Sequence, residues 1–426
     1  MISANIIFIF LAAIAYIGFI FSALFSKLKV TRVLPLMLIG LVIGPILGLI
    51  NTGPSSTIAA LAPYISALAV AFVLFDVGIS LKFNQLGSIL GRATLYMLIC
   101  SATTGIAIGY IVHYLLGWSI IYSMIFGFAV SGPGGIIAPE IAKNIKASNK
   151  LKSFLLYEGA TSDIVQLTIP LILITILLST SKITATYIES DIFTLIVGSI
   201  LLGIVLAFFW LYLLNRFSKY SRGYNWMLTL SMVLATYGIS EQLGLNGAIT
   251  AFMFGIMFAN IGTLSGMSKT DHLYFMQKYM NVPKVVKHVR SYQREIVFFV
   301  SAFYFVYMGL VFTSSGVAIN LLAIAAMLSS LAVVLRFVFT PIISSYFNPT
   351  PVGRVMDRVA VGFNVGRGIS PAIIASILVA YGLNIPFFID MTFLLVLFSN
   401  IFSSVGIYFA YRRAPSLSPP QPVGAR

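Results

Sequence analysis

The sequence predicts an all-α polytopic membrane protein of about thirteen transmembrane helices, two of them broken at membrane depth. Three observations carry that expectation: the composition, the spacing of the apolar runs, and two matched clusters of glycine and proline. Of 426 residues, 59% are hydrophobic and 9% charged, and the mean hydropathy is +1.01, far from the balance of a soluble domain. The longest polar stretch is the roughly thirty residues between Gly262 and Arg294, so one transmembrane domain is expected over 1–413, with no separate catalytic module.

Apolar runs near twenty residues recur over about 4–25, 31–51, 56–81, 93–116, 118–141, 151–179, 192–215, 225–243, 246–263, 293–314, 317–343, 355–382 and 387–411. The first is too long for a signal-peptide core and lacks a basic start and a small-residue cleavage site, so it is read as a span that stays in place. Alternate connectors carry nearly all the basic residues: Lys27, Lys29 and Arg32; Lys82 and Arg92; Lys143, Lys146, Lys150 and Lys152; Arg216, Lys219 and Arg222; Lys269 through Arg294; Arg354 and Arg358; Arg412 and Arg413. The other set carries Lys182 alone. This alternation places the N-terminus outside and the C-terminus in the cytoplasm of a multi-pass protein of the cell membrane. The net charge of +15 is then a topology signal. A nucleic-acid surface would gather on one soluble face, and no such face exists, so the expected surroundings are membrane lipid. Cys100 lies within an apolar run and is read as packing, and the Pro- and Ser-rich tail 414–426 as disordered and cytoplasmic. His113, His272 and His288 are too scattered to form a metal cluster.

The fifth span contains Ser131-Gly132-Pro133-Gly134-Gly135, and the twelfth contains Gly362 to Pro371, with Gly366 and Gly368 around Arg367. Proline removes a helix donor and glycine releases the backbone, so both spans break there. Non-helical backbone at this depth needs protein or a water-filled cavity to satisfy it. A matched pair of such breaks points to a transporter of inverted repeats whose broken helices meet near the midplane. The competing reading, glycines that permit close packing and kinks, suffices for Gly40, Gly44 and Pro45 in the second span.

Ionisable residues expected at depth are Asp76, Glu158, Asp163, Arg336, Arg367 and Asp390, and each needs a partner or a task. Glu158 and Arg367 are expected to pair as a structural strut between spans six and twelve. Asp163 faces about 140° away from Glu158 on the same helix. It therefore has no evident cation of its own, and holds either a proton or a metal ion. Ser131, Ser162, Thr161 and the carbonyls of the first break supply hard oxygen atoms for such an ion. Asp76 is either a second carboxylate ligand or an interfacial residue. Asp390 and Glu140 are read as interfacial, and Glu241 as a loop or helix-end residue. No Ser/His or Cys/His set, aspartate dyad or metal motif of an intramembrane enzyme is present in the spans.

Several segments share order and spacing with a known family. They are Arg32-Val33-Leu34-Pro35 with Gly40, Gly44 and Pro45; Leu74-Phe75-Asp76-Val77-Gly78-Ile79-Ser80-Leu81; Leu243-Gly244-Leu245-Asn246-Gly247 with Phe254-Gly255 and Asn260; and Gly366-Arg367-Gly368. Together they resemble the monovalent cation/proton antiporters, in particular the sodium/proton exchangers of archaea and bacteria, from the second span to the last. The resemblance implies an inverted-repeat antiporter fold with two crossed discontinuous helices, a dimerisation part and a moving core, in a homodimer. It implies secondary active exchange of Na+ or K+ for H+ by alternating access, with no cofactor beyond the transported ions. It further implies that Asp163 is the shared carrier, that Ser162 takes the place of a preceding asparagine, that Glu158 pairs with Arg367, and that Asp76 stands where some members have a glutamate at the ion site.

Two departures from the family pattern bear on the ion. Its Thr-Asp-Pro is here Ser131-Gly132-Pro133, and its Asn-Asp is Ser162-Asp163. With one acid fewer, the expected exchange is electroneutral; either Asp76 compensates for the missing ligand, or the site favours K+, whose lower charge density demands less of its ligands. The less negative cavity also leaves open a symporter or organic-anion carrier on a related crossed-helix fold, with Asp163 serving a coupling ion.

Overall fold

In a computed structural model, residues 12, 16, 18, 20, 31, 33–48, 57–80, 90–135, 137–138, 148–179, 185–216, 224–267, 282–312, 319–343 and 351–412 are described. Their regular structure is entirely helical: α1 Val33–Leu41, α2 Thr57–Ser80, α3 Leu90–Leu116, α4 Ile120–Ala129, α5 Asn149–Ser179, α6 Ala185–Arg216, α7 Asn225–Gln242, α8 Gly247–Met267, α9 Val282–Val311, α10 Ile319–Phe339, α11 Pro351–Gly362, α12 Ser370–Ala380 and α13 Phe388–Arg412. Pro45 cannot donate to the ladder, and α1 continues as a wider π turn over Val42–Ile46. Isolated residues of the first expected span are described, and a Cβ on Gly18 would lie 3.2 Å from Leu36 and 3.5 Å from Ala302, which sets Gly18 beside α1 and α9. Glu140, the tail 414–426 and the connectors around Lys27, Lys82, Lys143, Lys182, Lys219 and Lys269 lie outside the described residues.

Among the described residues, five helices are long and apolar enough to cross a membrane on length and composition alone: Gly91–Leu116, Thr194–Leu214, Val286–Val311, Asn320–Ile343 and Phe388–Tyr408. Shorter apolar stretches include Val33–Ile46, Ile120–Ala129 and Ser370–Val379, where a π turn or a break divides the span. The polar stretch expected between Gly262 and Arg294 is helical at both ends, leaving only 268–281 outside the described residues. Its second part folds because Val286, Val289, Gln293 and Val297 recur at helical spacing and are all buried, as the first turns of an amphipathic α9.

The packing repeats itself. α1 meets α9 and α2 meets α8, each at a pair of glycines. A Cβ on Gly40 would fall 2.1 Å from the Val306 carbonyl and 2.9 Å from Gly309 Cα; a Cβ on Gly78 would fall 2.4 Å from the Phe252 carbonyl and 3.1 Å from Gly255 Cα. Only glycine lets the backbones approach so closely, and without a hydrophobic drive in lipid such contact is what holds helices together. Counting along the expected spans, the second and tenth pair as the ninth and third do. The breaks in the fifth and twelfth obey the same shift of seven. An odd shift makes the second copy enter from the opposite face, so the repeat is inverted.

Candidate cation and proton site

The two broken spans cross at glycine. α4 ends at Ala129 and α11 at Gly362, and irregular backbone follows each. A Cβ on Gly134 would lie 2.2 Å from Gly368 N and 2.3 Å from Gly368 Cα, so neither position tolerates a side chain. Gly134 N donates to the Gly366 carbonyl at 2.9 Å, tying the two segments directly. Asn400 of α13 donates to the Arg367 carbonyl at 3.0 Å and to its own Val396 carbonyl at 2.9 Å, while Arg367 N donates to Ser399 Oγ at 3.4 Å. The polar residues of α13 thus satisfy backbone groups that the break sets free, as buried groups require.

Asp163 lies at this crossing with 1% of its surface exposed. Its Oδ2 accepts from Gly135 N at 2.8 Å and its Oδ1 from Ser370 Oγ at 2.8 Å. Gly135 precedes the turn in which Ile137 N and Ala138 N donate to the Gly134 carbonyl, and Ser370 opens α12. The carboxyl is therefore held between the backbone of the first break and the first residue of α12, a helix end that favours an anion. Among the described residues no basic side chain pairs with it. Ser162, one residue before, donates from Oγ to the Pro133 carbonyl. Ser131 Oγ is buried with no hydrogen-bond partner. Thr161 turns back to its own helix, donating to the Tyr157 carbonyl at 2.8 Å.

Glu158 is not paired with Arg367. Its carboxylate is held by Arg336 of α10, whose Nη2 lies 2.7 Å from Oε1 and 2.9 Å from Oε2, and by Asn364 Nδ2 at 2.9 Å. Arg336 also donates to the Val361 carbonyl from Nε at 3.0 Å and from Nη2 at 2.9 Å, and sits 5.7 Å from the centre of the Tyr96 ring. Arg367 instead donates from Nε to the Val130 carbonyl at 2.7 Å and from Nη1 to the Val365 carbonyl. The reason is local. Val130 is the C-cap of α4, where exposed carbonyls and the helix dipole attract a cation. An arginine inside a break has carbonyls at hand, whereas Arg336, on an intact helix, needs an acid.

Asp76 has Arg290 and Arg294 of α9 as its charged neighbours, and Arg290 Nη2 donates to Ser80 Oγ at 3.2 Å one turn further on. Of the other residues singled out, Asp390 is buried at the start of α13, and Cys100 is buried in the core. Glu241 ends α7 and accepts from Gly247 N at 2.8 Å. Sequence reasoning passed over Asn364, Ser370, Asn400 and Gln166. Asn364 and Ser370 lie within or beside the second break, and Ser399-Asn400 is a polar pair inside an apolar span, which is the signal that could have found them.

No curated protein sequence matches the chain. Two solved structures of the sodium proton antiporter MjNhaP1 from Methanocaldococcus jannaschii are similar to it. One, at pH 8, has a TM-score of 0.70 at 16% identity and covers 95% of each chain. The other, an electron-microscopy structure, has a TM-score of 0.71 at 16% identity and covers 99% of this chain and 100% of that one. At that identity the likeness establishes the fold, which is that of an antiporter with crossed broken helices. The family described as sodium/hydrogen exchanger, transmembrane, matches residues 9–410. A chain matched over almost its whole length, with two discontinuous helices crossing beside a buried carboxyl, belongs to the sodium/hydrogen exchanger family of membrane transporters.

Proposed function

We propose that the protein exchanges one monovalent cation, Na+ or K+, for one proton across the membrane, with Asp163 as the group that binds each in turn. The observation that carries this reading is a carboxyl 1% exposed, held by two neutral donors and, among the described residues, paired with no base. Such a group cannot keep a bare negative charge in a membrane interior; it takes a proton or a cation. When Asp163 is ionised, it accepts the cation together with neutral oxygens of the first break, Ser131 Oγ and the Ser162 hydroxyl among the candidates. The core carrying the crossed helices then moves, and protonation on the other side expels the ion. Because a single carboxyl exchanges one charge for one charge, the cycle moves no net charge. A homodimer in membrane lipid, with the N-terminus outside and the C-terminus in the cytoplasm, completes the proposal. Leu201, Val205, Phe209 and Tyr212 lie exposed along α6 and suit either lipid or a second copy.

A second reading, symport or organic-anion carriage, draws on Arg367 Nη2, which is buried without a hydrogen-bond partner. The two bonds that Arg367 makes to carbonyls at the breaks favour a structural task instead. Proteoliposomes loaded with a pH gradient separate the readings. The expected result is dissipation by Na+, K+ or Li+ that is lost in Asp163→Asn, and a rate unmoved by an imposed voltage. A two-proton cycle would be driven by about 2.3 kcal/mol for each 100 mV. Cation uptake that requires an organic anion and no proton counterflow would favour the second reading.

A further inference from the structure

Position 132, where the family's companion acid is missing, is filled from α5. A Cβ on Gly132 would lie 2.7 Å from Ser162 Cβ, 3.0 Å from Ser162 Oγ and 3.4 Å from Gln166 Nε2. Gln166 is 0% exposed. Its Nε2 donates to the Pro133 carbonyl at 3.3 Å and to Ser162 Oγ at 3.3 Å. A peptide carbonyl can only accept, so the contact with Pro133 decides which end of the amide is nitrogen. Oε1 is thereby turned away from Pro133, and it is buried with no hydrogen-bond partner among the described residues. Gln166 follows Asp163 by three residues and Ser162 by four on a continuous helix, so it is a one-turn neighbour of each. An amide oxygen is a hard, neutral ligand of the kind that binds hard cations.

We propose that Gln166 is a specificity-determining residue: its buried, unpartnered Oε1, one helical turn from Asp163, is a neutral ligand for the cation carried by Asp163 and makes up for the carboxylate absent at Gly132. The proposal rests on the reading of Asp163 as carrier. It explains how a site can lose one acid and keep an ion. The neutral oxygen supplies coordination without a second charge, so the site still balances one cation with one proton. A weaker field also asks less dehydration of the ion, which favours cations of lower charge density.

The test is exchange in proteoliposomes by the full-length wild type, Gln166→Met, Gln166→Glu and Asp163→Asn, with the apparent KM and maximal rate measured separately for Na+, K+ and Li+. Gln166→Met keeps the length and removes the oxygen. It is expected to raise the cation KM by about tenfold and flatten the preference among the three ions, with the maximal rate nearly unchanged. Gln166→Glu adds a titratable oxygen, and is expected to shift preference toward the smaller ions and to make the cation KM steeply pH-dependent. Wild-type KM and selectivity in Gln166→Met would overturn the proposal, as would a fall in rate alone, which marks a scaffold for Pro133. If Gln166→Met does not accumulate, Gln166→Glu decides by the same readouts, and failure of both to fold assigns Gln166 to the scaffold. Wild-type exchange by Asp163→Asn would instead overturn the carrier reading, whatever Gln166 does.

Discussion

Glu158 has two arginines within the same membrane domain, yet it forms its pair with Arg336 at 2.7 Å. Breaking a buried ion pair from one side leaves a charge with no solvent, at a cost of about 3–5 kcal/mol. Arg336→Ala should therefore lower the thermal stability of the purified protein sharply, and Glu158→Met with Arg336→Met should recover much of the loss. A double-mutant cycle read by thermal unfolding should give strong coupling between Glu158 and Arg336 and weak coupling between Glu158 and Arg367; the opposite order would restore the pairing expected from sequence. That expectation failed for a physical reason. Sequence shows which charges lie at depth but not what else can satisfy them, and the carbonyls of Val130 and Val365 already satisfy Arg367. The basic neighbours of Asp76 were equally out of sight, since they come from α9, more than two hundred residues away along the chain (Arg290 is 210 positions past Ser80). Asp163 was legible because its isolation is itself the signal: a carboxyl inside an apolar run with no base at helical spacing.

The breaks were the most legible elements, because glycine and proline act on the backbone directly and need no knowledge of the partner. Sequence could not show that they cross at Gly134 and Gly368, with the backbones close enough that a Cβ on one would meet the nitrogen of the other at 2.2 Å. Gly134→Ala is expected to abolish exchange and to reduce the yield of folded protein, since its only room is occupied by backbone. Gly238→Ala, with nothing within 4 Å of the added atom in the middle of α7, should be active and more stable by about 0.5–1 kcal/mol. Melting curves and transport rates of the two variants together check the claim; an active Gly134→Ala would show that the crossing is looser than its geometry.

Across the whole molecule, the inverted repeat brings the two breaks to one carboxyl and places a glycine pair on each side of the fold, Gly40 with Gly309 and Gly78 with Gly255. The span count and the alternation of basic connectors were readable because each rests on composition along the chain. The symmetry was readable only as matched breaks, since which helices pack together depends on contacts between distant segments. What makes this fold an exchanger, in the proposal above, is that proton and cation compete for Asp163 and nothing else. The most direct measurement is to add Na+, K+ or Li+ to the detergent-solubilised protein in weakly buffered solution, and to count the protons released as the cation binds. At a starting pH at which Asp163 is protonated, the account predicts one proton per cation bound, and neither binding nor release in Asp163→Asn. Cation binding without proton release, or release that persists in Asp163→Asn, would contradict it.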